Sequence, residues 1–170
     1  MEKLSMVSRR LQVFVIVCMV LTLIGLVVTV LTEGWAAALK LPSNILVNES
    51  NIKGANVLVL IVLVSMTMVS QLVAYWFVYK LFGPYKQGII FTKANVTAMR
   101  YIGWALIAID VVHMIKIVIM GPILTSLEIT SPFVSAGIQV TFLIVGLFIV
   151  LVSLVIDMGR ELKEQDSLVI

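Results

Sequence analysis

Residues 101–120 read YIGWALIAIDVVHMIKIVIM. Twenty residues at 1.5 Å each make a helix of about 30 Å, the thickness of a bilayer's hydrocarbon core. Only Asp110 and Lys116 in this run carry a formal charge, and the lone histidine, His113, sits midway between them. Three residues apart, the three groups spread over about 120° of one helix face. A run this apolar is either a membrane span or the centre of a very large soluble core, and the rest of the chain decides between them.

Three more apolar segments flank it, at residues 11–32, 55–79 and 133–156. The four segments hold 91 of the 170 residues but two formal charges, while the other 19 charges share 79 residues. About one charged residue in four is ordinary for a soluble surface. The 61% hydrophobic and 12% charged composition and the mean hydropathy of +1.15 therefore come from the spans alone. This excludes a soluble globular domain, a disordered tail and a nucleic-acid-binding domain. A single cysteine, Cys18, and a single histidine exclude a disulfide framework and a Cys/His zinc site, so no metal or other cofactor is expected. The expected architecture is an all-α, integral-membrane four-helix bundle, one domain over residues 1–170. The first apolar stretch is too long for a signal-peptide core and reads as an uncleaved anchor. Pro42, Pro84, Pro122 and Pro132 all fall between the spans, because hydrocarbon offers no substitute for a lost helix hydrogen bond.

Lysine and arginine in short loops set the orientation. Lys3, Arg9 and Arg10 precede the first span, Lys80, Lys86, Lys93 and Arg100 fill the 80–100 loop, and Arg160 and Lys163 lie in the 157–170 tail. The other side has only Lys40 and Lys53. Both termini and the middle loop are therefore expected in the cytoplasm, with the lipid bilayer as the first partner. The basic pI of about 9.1 is a sign of topology and not of direct nucleic-acid binding.

The middle loop carries a helix start. Thr92 is a good N-cap, Phe91 and Val96 are spaced as a hydrophobic staple, and Asn95 stands where a capping box places Glu or Gln. Gly88 and Gly83-Pro84 supply the turn before it. The plainer reading is a start that fixes the helix angle; the functional alternative is a cytoplasmic docking surface. In the tail, Asp157 and Arg160 are spaced i,i+3 and Arg160 and Glu164 i,i+4, pairs that carry a helix into water. The tail is acidic overall and the loop basic, so contact between them is expected, screened by salt. Glu161 and Asp166 complete the charged surface, and the apolar ending Leu168-Val169-Ile170 reads either as lipid-lying or as a terminal recognition peptide.

The stretch Gly88, Phe91-Thr92, Asn95-Val96, Arg100, Ile102-Gly103 resembles the signature Gly-x-x-Phe-(Thr/Ser)-x-x-Asn-Val-x-x-(Leu)-(Arg/Lys)-x-Ile-Gly of a bacterial four-span membrane-protein family, domain of unknown function 2975. Glu161-Leu162-Lys163-Glu164-Gln165-Asp166 is similar to that family's tail, while Ser167-Leu168-Val169-Ile170 departs from its Leu-Thr-Ile ending. The resemblance implies a membrane-held modulator whose partner is a small helix-turn-helix transcription regulator.

Inside the membrane, Asp110 lies about 15 Å beyond Arg100 and reaches neither interface. A charge at that depth costs about 2.5–3.5 kcal/mol or more and needs a partner or a proton. His113 is the nearest candidate, and Thr22, Thr29, Ser65, Thr67, Gln71 and Gln139 lie at comparable depth, enough for an interhelical hydrogen-bond cluster. Lys116 is expected to snorkel to the outer headgroups. The plainer reading of Asp110, His113 and Lys116 is a polar lock on the bundle; the functional one is a proton- or ligand-sensing site or a transport path, for which a homo-oligomer would supply more walls. No nucleophile is placed beside the Asp–His pair, so an enzyme is not expected. The favoured function is a regulatory protein that engages a soluble cytoplasmic regulator, with a small transporter or a sensing subunit as the alternative.

Overall fold

The computed structural model describes residues 2–43, 45–85, 92–133 and 140–166, without the side chains of residues 2–5 and 166. Gly88, Phe91 and Gln139, the side chain of Asp166 and the last four residues lie outside what is described. Among the described residues there are five α-helices, α1 (Glu2–Thr32), α2 (Gly34–Leu39), α3 (Ala55–Tyr85), α4 (Lys93–Ser126) and α5 (Thr141–Asp166), and a 3-10 turn at Glu49–Asn51. The described residues form no strand; one isolated bridge joins Val47 to Thr130. Four helices are long and apolar enough to span a membrane, and the protein is a multi-pass membrane protein.

Sequence neighbours are spatial neighbours. The central helix α4 lies against both α3 and α5, and α3 also lies against α1. Large apolar side chains point away from the protein along α1 and α5, among them Phe14, Leu21, Phe148 and Val155. In water such exposure would cost about 25 cal/mol per Å². Against lipid tails it costs nothing, so it marks the bilayer-facing surface.

Three features differ from what the span pattern predicts. First, the helix of the fourth segment starts at Thr141, although the apolar run starts at Phe133. Hydropathy sets how much chain lies in hydrocarbon, but a helix start needs its first N–H groups satisfied. Second, Pro84 and Pro122 lie inside α3 and α4. Both are in the final turns, where few helix bonds remain to be lost. Third, the loop after α1 folds into the short helix α2. Gly34, at φ +79°, turns the chain between α1 and α2 in a backbone conformation that favours glycine.

The buried core gathers at the end of the bundle where α2 sits. Leu39, Leu60, Leu63, Met120, Leu124 and Ile129 are almost wholly buried there, with Trp35 and Phe133 against them. The loops are tied over this core by the Asn48 N–H donating to the Ile129 carbonyl at 2.7 Å and by Asn51 Nδ2 donating to the Glu128 carbonyl at 2.9 Å. At the opposite end α1 is held to α3 by polar groups: the Ser8 hydroxyl donates to the Phe82 carbonyl at 2.6 Å, and Gln12 Nε2 donates to the Tyr79 carbonyl at 3.1 Å. The last carbonyls of a helix have no intrahelical donor, and Ser8 supplies one to Phe82.

α4 and α5 touch backbone to backbone. A methyl group added at Gly103 would lie 2.8 Å from the Gly146 carbonyl oxygen, and one added at Gly146 would lie 2.6 Å from that of Gly103. Neither glycine belongs to a Gly-x-x-x-Gly pair within its own helix, so the contact is invisible until the two helices are set side by side.

Candidate functional site: a polar cavity within the bundle

Asp110 is 1% exposed. Its Oδ2 accepts the backbone N–H of Leu143 at 2.8 Å. Leu143 is the third residue of α5, so the carboxylate of one helix does for the next what an N-cap side chain does locally. It satisfies an end N–H that hydrocarbon would leave bare. The first turn of α5 thus meets an acceptor that α4 presents.

The partners expected for Asp110 from sequence are arranged otherwise. Among the described residues His113 makes no hydrogen bond to it, and the interhelical hydroxyl cluster does not form. Thr22 donates to the Cys18 carbonyl, Ser65 to that of Val62 and Thr67 to that of Val64, each within its own helix. A helical Ser or Thr hydroxyl has such a carbonyl always in reach, so it need not cross to a neighbour. Lys116 also departs from expectation: it is 3% exposed and turned into the bundle instead of reaching toward headgroups. The α2 cap gives it a polar interior to enter.

That interior is a cavity of about 260 Å³. α4 contributes Ile109, Asp110, His113 and Lys116 to its wall, and α3 contributes Val64, Thr67, Met68 and Gln71. Thr22, Leu26 and Thr29 of α1 form another side, with Phe142 from the first turn of α5. Ala37, Ala38 and Lys40, in and just after α2, complete it. The structure thus brings together Asp110, His113, Lys116, Thr22, Thr29, Thr67 and Gln71; Ser65 is not part of the wall. Lys40, which the sequence offers only as an outer-loop charge, joins them. It is exposed and occupies the left-handed C-cap of α2 (φ 59°, ψ 45°), a position where glycine is the usual residue. Among the described residues no group of three or more His, Cys, Asp and Glu is placed to hold a metal ion.

The second group of sequence-selected residues lies at the charged end. Thr92 caps α4 in extended conformation, its hydroxyl oxygen accepting the Asn95 N–H at 3.3 Å. Asn95, Val96 and Ile102 are buried, and Gly103 is sealed against Gly146. Gly103 belongs to the α4–α5 interface, and the buried side chains of Asn95, Val96 and Ile102 present little to a partner. Arg100 donates from Nη2 to Asp157 Oδ2 at 3.1 Å, and Arg160 Nη2 pairs with the other carboxylate oxygen at 3.1 Å. Arg160 also meets Glu164 one turn on, and Glu161 at 3.7 Å. Asp157 begins the charged part of α5, beyond the apolar span. The hydrogen bond from Arg160, with that from Arg100, holds its carboxyl below the usual carboxylate range against the opposing effect of burial. Glu161, Glu164 and Leu162 remain exposed on this extension.

No curated protein and no solved structure matches the chain. Residues 35–170, however, match a family model described as a protein of unknown function, DUF2975. That stretch takes in α2 to α5, and with them the capped start of α4, both ion-paired arginines and every wall of the cavity except the one from α1. With four-fifths of its length so matched, the chain belongs to the DUF2975 family of multi-pass membrane proteins of unknown function.

Proposed function

We propose that the protein is a small regulatory sensor of the bacterial cytoplasmic membrane, with both termini in the cytoplasm. The cavity receives the signal, and the charged extension of α5 reports it to a soluble partner. The observation that supports this reading best is the attachment of α5 to α4 at two distant points. At the cavity Asp110 holds Leu143, and at the charged end Arg100 holds Asp157. Fourteen residues of helix, about 21 Å, separate the two attachments. Anything that draws Asp110 away from Leu143 changes how the same rigid helix presents Glu161, Leu162 and Glu164 at its far end. The partner class implied by the family resemblance, a small helix-turn-helix regulator, fits an output of this kind, with exposed acids and an apolar Leu162 as the surface it would meet.

The test is photo-crosslinking in intact cells from a reactive residue at position 162. Capture of one DNA-binding regulator, in a yield that changes with Asp110→Leu, which removes the acceptor for Leu143, is the expected result. Transport is the second reading, favoured by the cavity's extent from Lys40 down to Asp110. Absence of any soluble partner, together with Asp110-dependent proton or solute flux in proteoliposomes, would replace the sensor by a transporter.

A further inference from the structure

We infer that the cavity binds a compact organic monoanion, such as a small carboxylic acid with an apolar body, through Lys116 and Lys40. The inference rests on the reading of the cavity as an input and names the chemistry of what enters it. Lys116 is 3% exposed and lines the cavity, and among the described residues it has no hydrogen-bond or ion-pair partner. A lysine turned into a cavity without a protein partner presents its N–H donors to whatever enters, and a negative or strongly dipolar group is their natural acceptor. Asp110 is the one carboxylate on the wall, and its oxygen already serves the first turn of α5. Lys40 adds a second positive charge. The wall thus carries two lysines against a single carboxylate, one oxygen of which is already engaged by Leu143.

Size and the remaining wall narrow the class. At about 30 Å³ per water, 260 Å³ holds about nine waters or one compact organic acid, and not a bulky cofactor. Leu26, Val64, Met68 and Ile109 offer an apolar surface for a ligand body. Lys40 holds a left-handed backbone position that glycine would occupy with less strain. A side chain kept at such a position is the pattern of a residue held there for what it contacts.

The experiment uses the full chain in nanodiscs of zwitterionic lipid and three isosteric probes: benzoate, neutral benzamide and cationic benzylammonium. Calorimetric titration is expected to show benzoate binding at least tenfold tighter than either isostere. Lys116→Gln is expected to weaken benzoate at least tenfold, Lys116→Arg to retain most of the affinity, and Lys40→Gly to weaken it severalfold. Each variant's melting temperature is recorded, so that loss of folding is told apart from loss of the site; if Lys116→Gln does not fold, Lys40→Gly carries the decision. Equal binding of benzoate and benzamide, or undiminished benzoate binding by the folded variants, overturns the inference. So does a tenfold loss of benzoate affinity in nanodiscs containing phosphatidylglycerol, which would assign the lysines to a lipid phosphate. Tighter binding of benzylammonium, lost in Asp110→Asn, would overturn the anion while leaving the cavity a sensor input.

Discussion

The glycine contact between α4 and α5 gives the sharpest test of the packing. A methyl group at Gly103 would stand 2.8 Å from the Gly146 carbonyl oxygen and 3.1 Å from the Val150 backbone nitrogen. Ordinary contact begins near 3.4 Å. Val150 Cγ2, at 2.5 Å, is a side-chain atom, but the two backbone atoms cannot rotate aside, so the helices must part by roughly 0.6 Å. A gap of that size forfeits about a quarter to a half of each dispersion contact along the seam. Overpacking of this kind costs about 1–3 kcal/mol, and the unyielding backbone puts Gly103→Ala toward the top of that range. Helix propensity returns about 0.8–1 kcal/mol on any Gly→Ala change, so the net loss is about 1–2 kcal/mol. Gly159→Ala is the control. It lies in the same α5 with nothing within 4 Å of the added methyl, and receives the propensity gain alone. The two variants should thus differ by about 2–3 kcal/mol, a comparison in which propensity cancels. The assay is unfolding of purified protein in mixed micelles, followed by circular dichroism. Gly146→Ala should resemble Gly103→Ala, and the double variant should cost less than the two singles together, since one separation of the helices makes room for both methyls. If Gly103→Ala is as stable as Gly159→Ala, the proposed seam does not exist.

Asp110→Asn keeps an acceptor for Leu143, whereas Asp110→Leu leaves that N–H bare at a cost of about 1–3 kcal/mol. Amide exchange at Leu143 should accelerate about tenfold or more in the leucine variant and little in the asparagine one; equal rates in both would remove the cap. Thr92→Ala should lower stability by about 1 kcal/mol through loss of the α4 cap, read as a shifted unfolding midpoint. Asp157 is held below the usual carboxylate range, so its contribution is complete at neutral pH and is lost as the pH falls through that lowered value. Melting of the wild type should therefore drop more between pH 7 and pH 3 than melting of Asp157→Asn, and the difference should shrink in high salt; identical pH dependence would dismiss the Arg100–Asp157–Arg160 network.

Much of the architecture is legible because hydrocarbon imposes a simple rule. A chain that must satisfy its own backbone bonds over about 30 Å shows that need as a long run without charge. The start of α4 is equally local, since Thr92 and the N–H of Asn95 are three residues apart. The site was half legible. Asp110, His113 and Lys116 stand out because they interrupt an apolar run, and all three do line one cavity. Their partners do not stand out. The acceptor role of Asp110 falls on a backbone N–H 33 residues away, and a backbone N–H has no letter of its own. Lys40 carries no local signal, and Ser8 and Gln12 become anchors only where the last carbonyls of α3 meet them.

The sequence by itself determined that this is a membrane protein, where its apolar segments lie, and which few polar groups must be explained inside them. It did so because transfer into hydrocarbon is scored residue by residue along the chain. Tertiary structure alone decided that α5 begins at Thr141 under the carboxylate of Asp110, that Lys116 turns inward under α2, and that Gly103 meets Gly146. Each of these depends on which helix faces which, and that choice is made by close packing and by the demand of buried N–H groups and charges for partners, quantities that exist only between segments.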